Sequence, residues 1–186
     1  MLTNNFVLLK KISALIWLLV VVFTLIFLLF NPQFLAVDYL QAFFSRFENQ
    51  IWIAYVIISA LRGFILIPST PFVVVGALLF PQHEAWVLFI SLFGLFVSAS
   101  FLYFFADWLG LSDYLQQKYP NKINKLITVF QHKYAFLLVM GWAFFPLVPT
   151  DLICYIARLV KMPYSKMMAG ILLGEAVLVL ALVYFL

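Results

Sequence analysis

Two apolar stretches, residues 51–81 and 134–160, are each too long for one membrane crossing and too short for two. Each is interrupted near its middle by paired prolines, Pro68-Ser69-Thr70-Pro71 in the first and Pro146-Leu147-Val148-Pro149 in the second. A helix needs about 20 apolar residues to cross about 30 Å of hydrocarbon, and proline withholds a backbone donor from a continuing helix. Segments of this kind are expected to enter the membrane, turn and leave on the same side, as re-entrant hairpins. Irregular backbone at membrane depth is tolerated only where protein buries it or it lines a wet cavity. Two such breaks therefore point to a pathway for something polar.

Composition agrees with a membrane chain. It is 67% hydrophobic and 10% charged, and its 22 Phe, 9 Tyr and 5 Trp are more aromatic surface than a soluble core of this length could hide. The reading is one all-α integral membrane domain, residues 1–186. A net charge of +4 does not argue for nucleic acid, because the basic residues cluster beside apolar runs as cytoplasmic loops do. One cysteine, Cys154, allows no internal disulfide. His83 and His132 lie on separate loops. With no Cys/His cluster, no glycine-rich phosphate loop and no Ser-His-Asp set, neither metal, cofactor nor enzyme activity is expected.

Around the two hairpins, the uncharged runs 12–31 and 85–106 and the run 167–186, whose one charged residue is Glu175, are expected to span the membrane fully. The first exceeds the usual apolar core of a signal peptide and lacks a small-x-small ending, so it is read as a retained span. Residues 112–133 carry Ile123, Leu126, Ile127 and Phe130 at helical spacing with Lys122 and Lys125 between them, as in an amphipathic helix on the cytoplasmic surface. With Lys10 and Lys11 inside, Asp38, Glu48 and Glu84 fall outside against Arg46, and Lys118, Lys122, Lys125, Lys133, Lys161 and Lys166 fall inside. That bias fits a cytoplasmic N-terminus, provided both hairpins are re-entrant, and the short chain would fit a bacterial inner membrane. A broken hairpin followed by a span occurs twice in opposite orientation, the pattern of an inverted repeat. Two ordinary Pro-kinked helices are the plainer alternative.

A few residues stand out because hydrocarbon makes them expensive. Arg62 lies eleven positions into its arm, roughly 17 Å deep at about 1.5 Å per residue. It either snorkels outward or faces a cavity, where its planar fork suits a phosphate. Asp151 follows the second break, as an N-cap, as the partner of Arg62 or as a proton carrier. An attraction of about 4 kcal/mol at moderate dielectric does not offset roughly 5–7 kcal/mol for burying both. Stability is thus a poor reason to keep the pair. Ser69, Thr70 and Thr150 are good caps for half-helices, whose free N–H groups suit an anionic headgroup. Glu175 sits in the last span beside Gly170 and Gly174, a small-xxx-small face that lets helices approach closely. Glu175 either bonds across that face or lines the same cavity.

The segments "IPSTPFVVVGALLF" and "FFPLVPTDLICYIARLVKMPYSKMMAGILLGE" resemble the DedA or VTT superfamily, also called SNARE-associated proteins, over about two thirds of the chain. The resemblance implies two facing re-entrant helices and movement of lipids between leaflets, with phospholipid or a polyprenyl phosphate as cargo. Many relatives carry Arg where this chain has Ala143, and Gly where it has Arg158 and Pro81. Relatives with an acidic residue in or just before the first hairpin are thought to couple transport to protons; here the hairpin itself holds only Arg62. The expected function is a lipid transporter or scramblase whose groove is formed by Arg62, Ser69, Thr70, Thr150, Asp151 and Glu175. Its expected partners are membrane lipids with phosphate-bearing headgroups, and a homo-oligomer is left open. The alternatives are a proton-coupled carrier of small solutes or ions, and a non-transporting membrane scaffold.

Overall fold

A computed structural model of the chain describes residues 2–108, 116–146 and 148–185, without the side chains of residues 2–7, Lys11 and Asp107. The described residues form helices and turns and no strand. In chain order the helices are α1 (Leu2–Phe30), α2 (Val37–Ser45), α3 (Ile51–Leu61), α4 (Thr70–Leu79), α5 (Glu84–Trp108), α6 (Pro120–Gln131), α7 (Ala135–Ala143), α8 (Thr150–Leu159) and α9 (Tyr164–Phe185). Among the described residues, three helices are long and apolar enough to cross a membrane: α1 through Leu8–Phe30, α5 through Glu84–Ala106, and α9 through Tyr164–Phe185. The protein is an all-helical integral membrane protein.

Both stretches with paired prolines are broken helices. Helix α3 runs into a 3-10 turn, Arg62–Ile65, and ends at Leu66, which takes the left-handed conformation with φ 59°. The Leu66 amide donates to Gly63 O at 3.1 Å and the Ile67 amide to Arg62 O at 3.2 Å, which closes the helix end in the Schellman manner. Pro68 follows, and α4 starts at Thr70 with Pro71 in its first turn. The chain then doubles back, for the Trp52 ring near the start of α3 stacks on Phe80 just past α4 with centroids 3.5 Å apart. In the second stretch α7 stops at Ala143, and α8 resumes after Pro149, which is extended at φ −60° and ψ 112°. Here the indole of Trp142 donates to Pro149 O at 3.3 Å.

The full-length helices α5 and α9 hold these pieces together. Helix α5 packs on α3 and α8, α9 packs on α7 and α4, and α5 and α9 pack on each other. Each therefore lies on the first arm of the break that precedes it and on the second arm of the other. Small residues allow the approach: a Cβ at Gly94 would stand 3.0 Å from Ser59 O, and one at Gly170 would stand 2.7 Å from Phe136 O. At Gly174 it would meet Met140 O and the Ala143 side chain. One apolar cluster, with Leu102, Val139, Met167 and Ile171, joins α5, α7 and α9. A second, with Phe44, Tyr55, Phe72 and Val75, joins α2, α3 and α4.

Helix α1 is peripheral. Only 6% of its apolar window is buried, against 50% for α5 and 44% for α9. It is attached through Val21, buried in the first apolar cluster, and through Trp17, whose indole donates to Phe64 O at 2.8 Å and whose ring lies edge-on to Phe105. Within the expected surface helix 112–133, residues 112–115 lie outside the described residues, and α6 starts where Pro120 presets the first helical φ. Ile123, Ile127 and Phe130 of α6 are half-buried, whereas Lys122, Lys125 and Leu126 are exposed.

Candidate functional site

The two breaks meet, and their polar side chains bond to one another. Arg62, at the end of α3, donates from Nη1 to Ile67 O at 2.9 Å and to Asp151 Oδ2 at 3.3 Å. Asp151 lies in the first turn of α8, so a residue of the second break closes the ion pair with a residue of the first. Ser98, from the middle of α5, lies 3.0 Å from Asp151 Oδ1 and 3.1 Å from Leu95 O, and its single proton serves one or the other. On the opposite side, Glu175 of α9 accepts from Ser69 Oγ at 3.0 Å and from Thr150 Oγ1 at 2.5 Å on the same oxygen, Oε1. Thr70 Oγ1 bridges the breaks directly, donating to Pro146 O at 2.9 Å on an exposed edge of the cluster.

This geometry decides between the readings left open above. Arg62 is 5% exposed and its guanidinium is paired, so it does not snorkel. Asp151 is 0% exposed and makes no capping bond; Pro149 occupies the N-cap position, and the Asp151 carboxylate turns to Arg62 and Ser98. Ser69 and Thr70 likewise make no side-chain cap bond to α4, but reach to Glu175 and to Pro146. Glu175, 1% exposed, bonds to the two breaks, not across the glycine face. Pro68 and Pro71 flank the first junction and Pro146 and Pro149 the second, while Gly170 and Gly174 press α9 onto α7.

Charge balance explains how such a cluster can be buried. Arg62 neutralises Asp151, and Glu175 bonds to Ser69, just before α4, and to Thr150, the first residue of α8. A helix N-terminus is a favourable place for a carboxyl group, and Glu175 is held beside two of them. An open polar groove is not what is found: Arg62, Ser69, Thr150, Asp151 and Glu175 are all buried and occupied with one another.

Three participants escaped sequence reasoning. Ser98 is one serine among several in a span, and nothing local marks it. Gly63 is needed because a Cβ there would collide with Ser98 and Asp151; its place beside Arg62 was a usable signal. Trp17 clamps the turn that carries Arg62 from 47 residues away. Ala143, where the resemblance leads one to expect an arginine, is buried against Gly174, so the cation of this cluster comes from the first break.

No curated protein and no solved structure matches the chain. The family model of the VTT domain matches residues 67–186, which hold the second half of the first break, all of the second, and helices α5 and α9. With three apolar helices long enough to span a membrane and this match over most of its length, the chain belongs to the VTT domain family, also known as the DedA or SNARE-associated family.

Proposed function

We propose that this protein moves phosphate-bearing lipids between leaflets, and that the cluster of Arg62, Ser69, Thr150, Asp151 and Glu175 is the closed form of its midplane site. One observation carries the reading. The costly residues of the chain converge on the N-termini of two broken helices, where stability gains little from them. In this reading both broken stretches are re-entrant hairpins, and the exchange of arms between α5 and α9 reflects an inverted repeat. In the same reading the N-terminus is cytoplasmic, by the charge bias of the loops, and the membrane is taken to be a bacterial inner membrane.

Transport then works by exchange of partners. A lipid phosphate takes the place of Asp151 on the Arg62 fork, gaining a charge-assisted bidentate contact. The released carboxylate keeps Ser98, and the hydroxyls of Ser69 and Thr150 with the N-termini of α4 and α8 offer donors to the phosphate oxygens. The tails stay in hydrocarbon throughout. No covalent step is involved, so the protein acts as a carrier and not as an enzyme.

A second reading rests on Glu175, a buried carboxyl between two hydroxyls, which would suit proton-coupled movement of a small solute. The test is headgroup exposure in liposomes that hold the purified protein, with dithionite quenching for a fluorescent phospholipid and an impermeant phosphate-binding reporter for polyprenyl phosphate. Rapid loss of protection without any gradient is expected. Unchanged flipping by a folded Arg62→Ala, Asp151→Asn, Glu175→Gln triple variant removes the site from the proposal. Full protection of both lipids under an imposed pH gradient transfers the case to solute transport.

A further inference from the structure

Helices α3 and α5 share a seam with two different faces. On the inner face, Tyr55, Ser59 and Arg62 recur at i, i+4 and i+7, so they line one side of α3, and all three are buried. Opposite them on α5 stand Ser91 and Ser98, seven residues apart and also buried. Tyr55 Oη lies 3.3 Å from Ser91 Oγ and donates to Phe72 O at 3.2 Å, and the far end of the row is the Arg62–Asp151–Ser98 group. The row covers roughly 10 Å along the helix axis. Its middle rung is an anomaly: Ser59 Oγ is buried beside Tyr55 and makes no hydrogen bond of acceptable geometry. A buried hydroxyl without a partner is destabilising by about 1–3 kcal/mol, so it calls for a reason other than folding.

The outer face of the same seam is a groove of about 630 Å³, lined by Ile53, Val56 and Ile57 of α3 and by Phe89, Ile90 and Phe93 of α5. Trp52, His83 and Trp86 form its end. Tryptophans of this kind mark the membrane–water boundary. The volume lies within the roughly 300–1,000 Å³ of sites that hold molecules of modest size. An apolar trough that starts at an interfacial rim, backed by a row of hydroxyls that ends at a buried arginine, matches an amphiphile with a hydrocarbon chain and an anionic head.

We propose that the α3–α5 seam is the entrance by which a membrane lipid reaches the buried cluster, its chain in the outer groove and its phosphate passed along Tyr55, Ser91 and Ser59 to Arg62. This rests on the lipid reading given above and adds to it a route and a side, the membrane face that carries His83. Gly94 sets the closure: its Cα packs on the Ser59 carbonyl, so the seam shuts at the height of the unpartnered hydroxyl.

The test uses full-length protein in liposomes and two readouts. The first is flipping of a fluorescent phospholipid by Ser59→Ala, by Ile57→Trp, which fills the groove, and by Val177→Trp, which adds the same bulk to an exposed site on α9. Ser59→Ala is expected to slow flipping roughly threefold to tenfold, the equivalent of one lost neutral hydrogen bond, while thermal stability stays level or rises. Ile57→Trp is expected to slow it at least as much, with Val177→Trp at the wild-type rate. The second readout is labelling of Ser59→Cys by an anionic methanethiosulfonate, located by mass spectrometry, with Cys154 as the internal reference. Labelling is expected, and its loss on adding Ile57→Trp. The seam is overturned if Ser59→Cys stays unlabelled while Ser59→Ala and Ile57→Trp flip lipid at the wild-type rate. If the wild type flips no lipid but Ser59→Cys is labelled and Ile57→Trp blocks that labelling, the lipid reading fails and the seam stands as an entrance for anions.

Discussion

The two broken helices of this protein look alike in sequence and do different work in the structure. The first supplies the cation, Arg62, at the C-terminal end of its incoming arm, and closes that end with a left-handed Leu66. The second supplies the anion, Asp151, in the first turn of its outgoing arm, after an extended Pro149. Backbone geometry differs to match. The first break is a tight 3-10 turn with Gly63 pressed against Ser98 and Asp151, whereas Gly141, in the incoming arm of the second break, has open space where a Cβ would stand. Similar interruptions thus give a first break packed tightly at its own glycine and a second whose incoming arm is open at Gly141, and the pair of them closes the cluster.

The largest effect should come from separating the charges. Asp151→Ala leaves Arg62 buried and unpaired, and a loss of about 3–5 kcal/mol is expected. Arg62→Leu combined with Asp151→Leu should lose clearly less than the sum of the two single changes, as measured by thermal unfolding in detergent. Additive losses would mean that the pair is not coupled and that the two breaks stabilise the fold independently.

Gly63→Ala and Gly141→Ala probe the difference in crowding. The first should destabilise by about 1–3 kcal/mol, because its methyl group meets Ser98 and Asp151. The second should stabilise by roughly 0.5–1 kcal/mol, the ordinary gain for alanine over glycine within a helix. Equal outcomes would erase the contrast between the two sides.

Left-handed residues offer a smaller comparison. Leu66 and Lys161 hold φ 59° and 58°, one at the first break and one just past α8. Lys161 is exposed, so Lys161→Gly should gain about 1 kcal/mol by relieving the backbone. Leu66 is buried, and Leu66→Gly should lose stability, because about 1.5–3 kcal/mol of apolar burial outweighs that relief. Smallest of all is Glu175→Gln, which keeps an acceptor for Ser69 and Thr150. Its expected change in stability is under about 1 kcal/mol, and a loss of several would show that the charge itself holds the two helix ends together.

Much of this architecture was legible before any coordinates. The three spans follow from apolar length, and the two breaks follow from prolines that cannot continue a helix. Arg62, Asp151 and Glu175 were singled out because hydrocarbon penalises them whatever the fold. The capping alternatives for Ser69, Thr70 and Asp151 were reasonable local readings that tertiary contacts overrode. Each of these side chains found a partner more than 50 residues away in the chain. Ser59, Ser91 and Ser98 carry no local signal, since a serine in a span reads the same whether it faces a neighbour, a cavity or its own helix.

By itself the sequence determined where the three spans run, where the two broken stretches are interrupted and which residues are too costly to face lipid, because these depend on local backbone chemistry and on the length of apolar runs. Only the tertiary structure decided that the two breaks interlock through Thr70 and Pro146, that Asp151 answers Arg62, and that Glu175 is shared between Ser69 and Thr150. Pairings across such distances depend on how α5 and α9 pack against the arms, and close approach at Gly63, Gly94, Gly170 and Gly174 sets that packing.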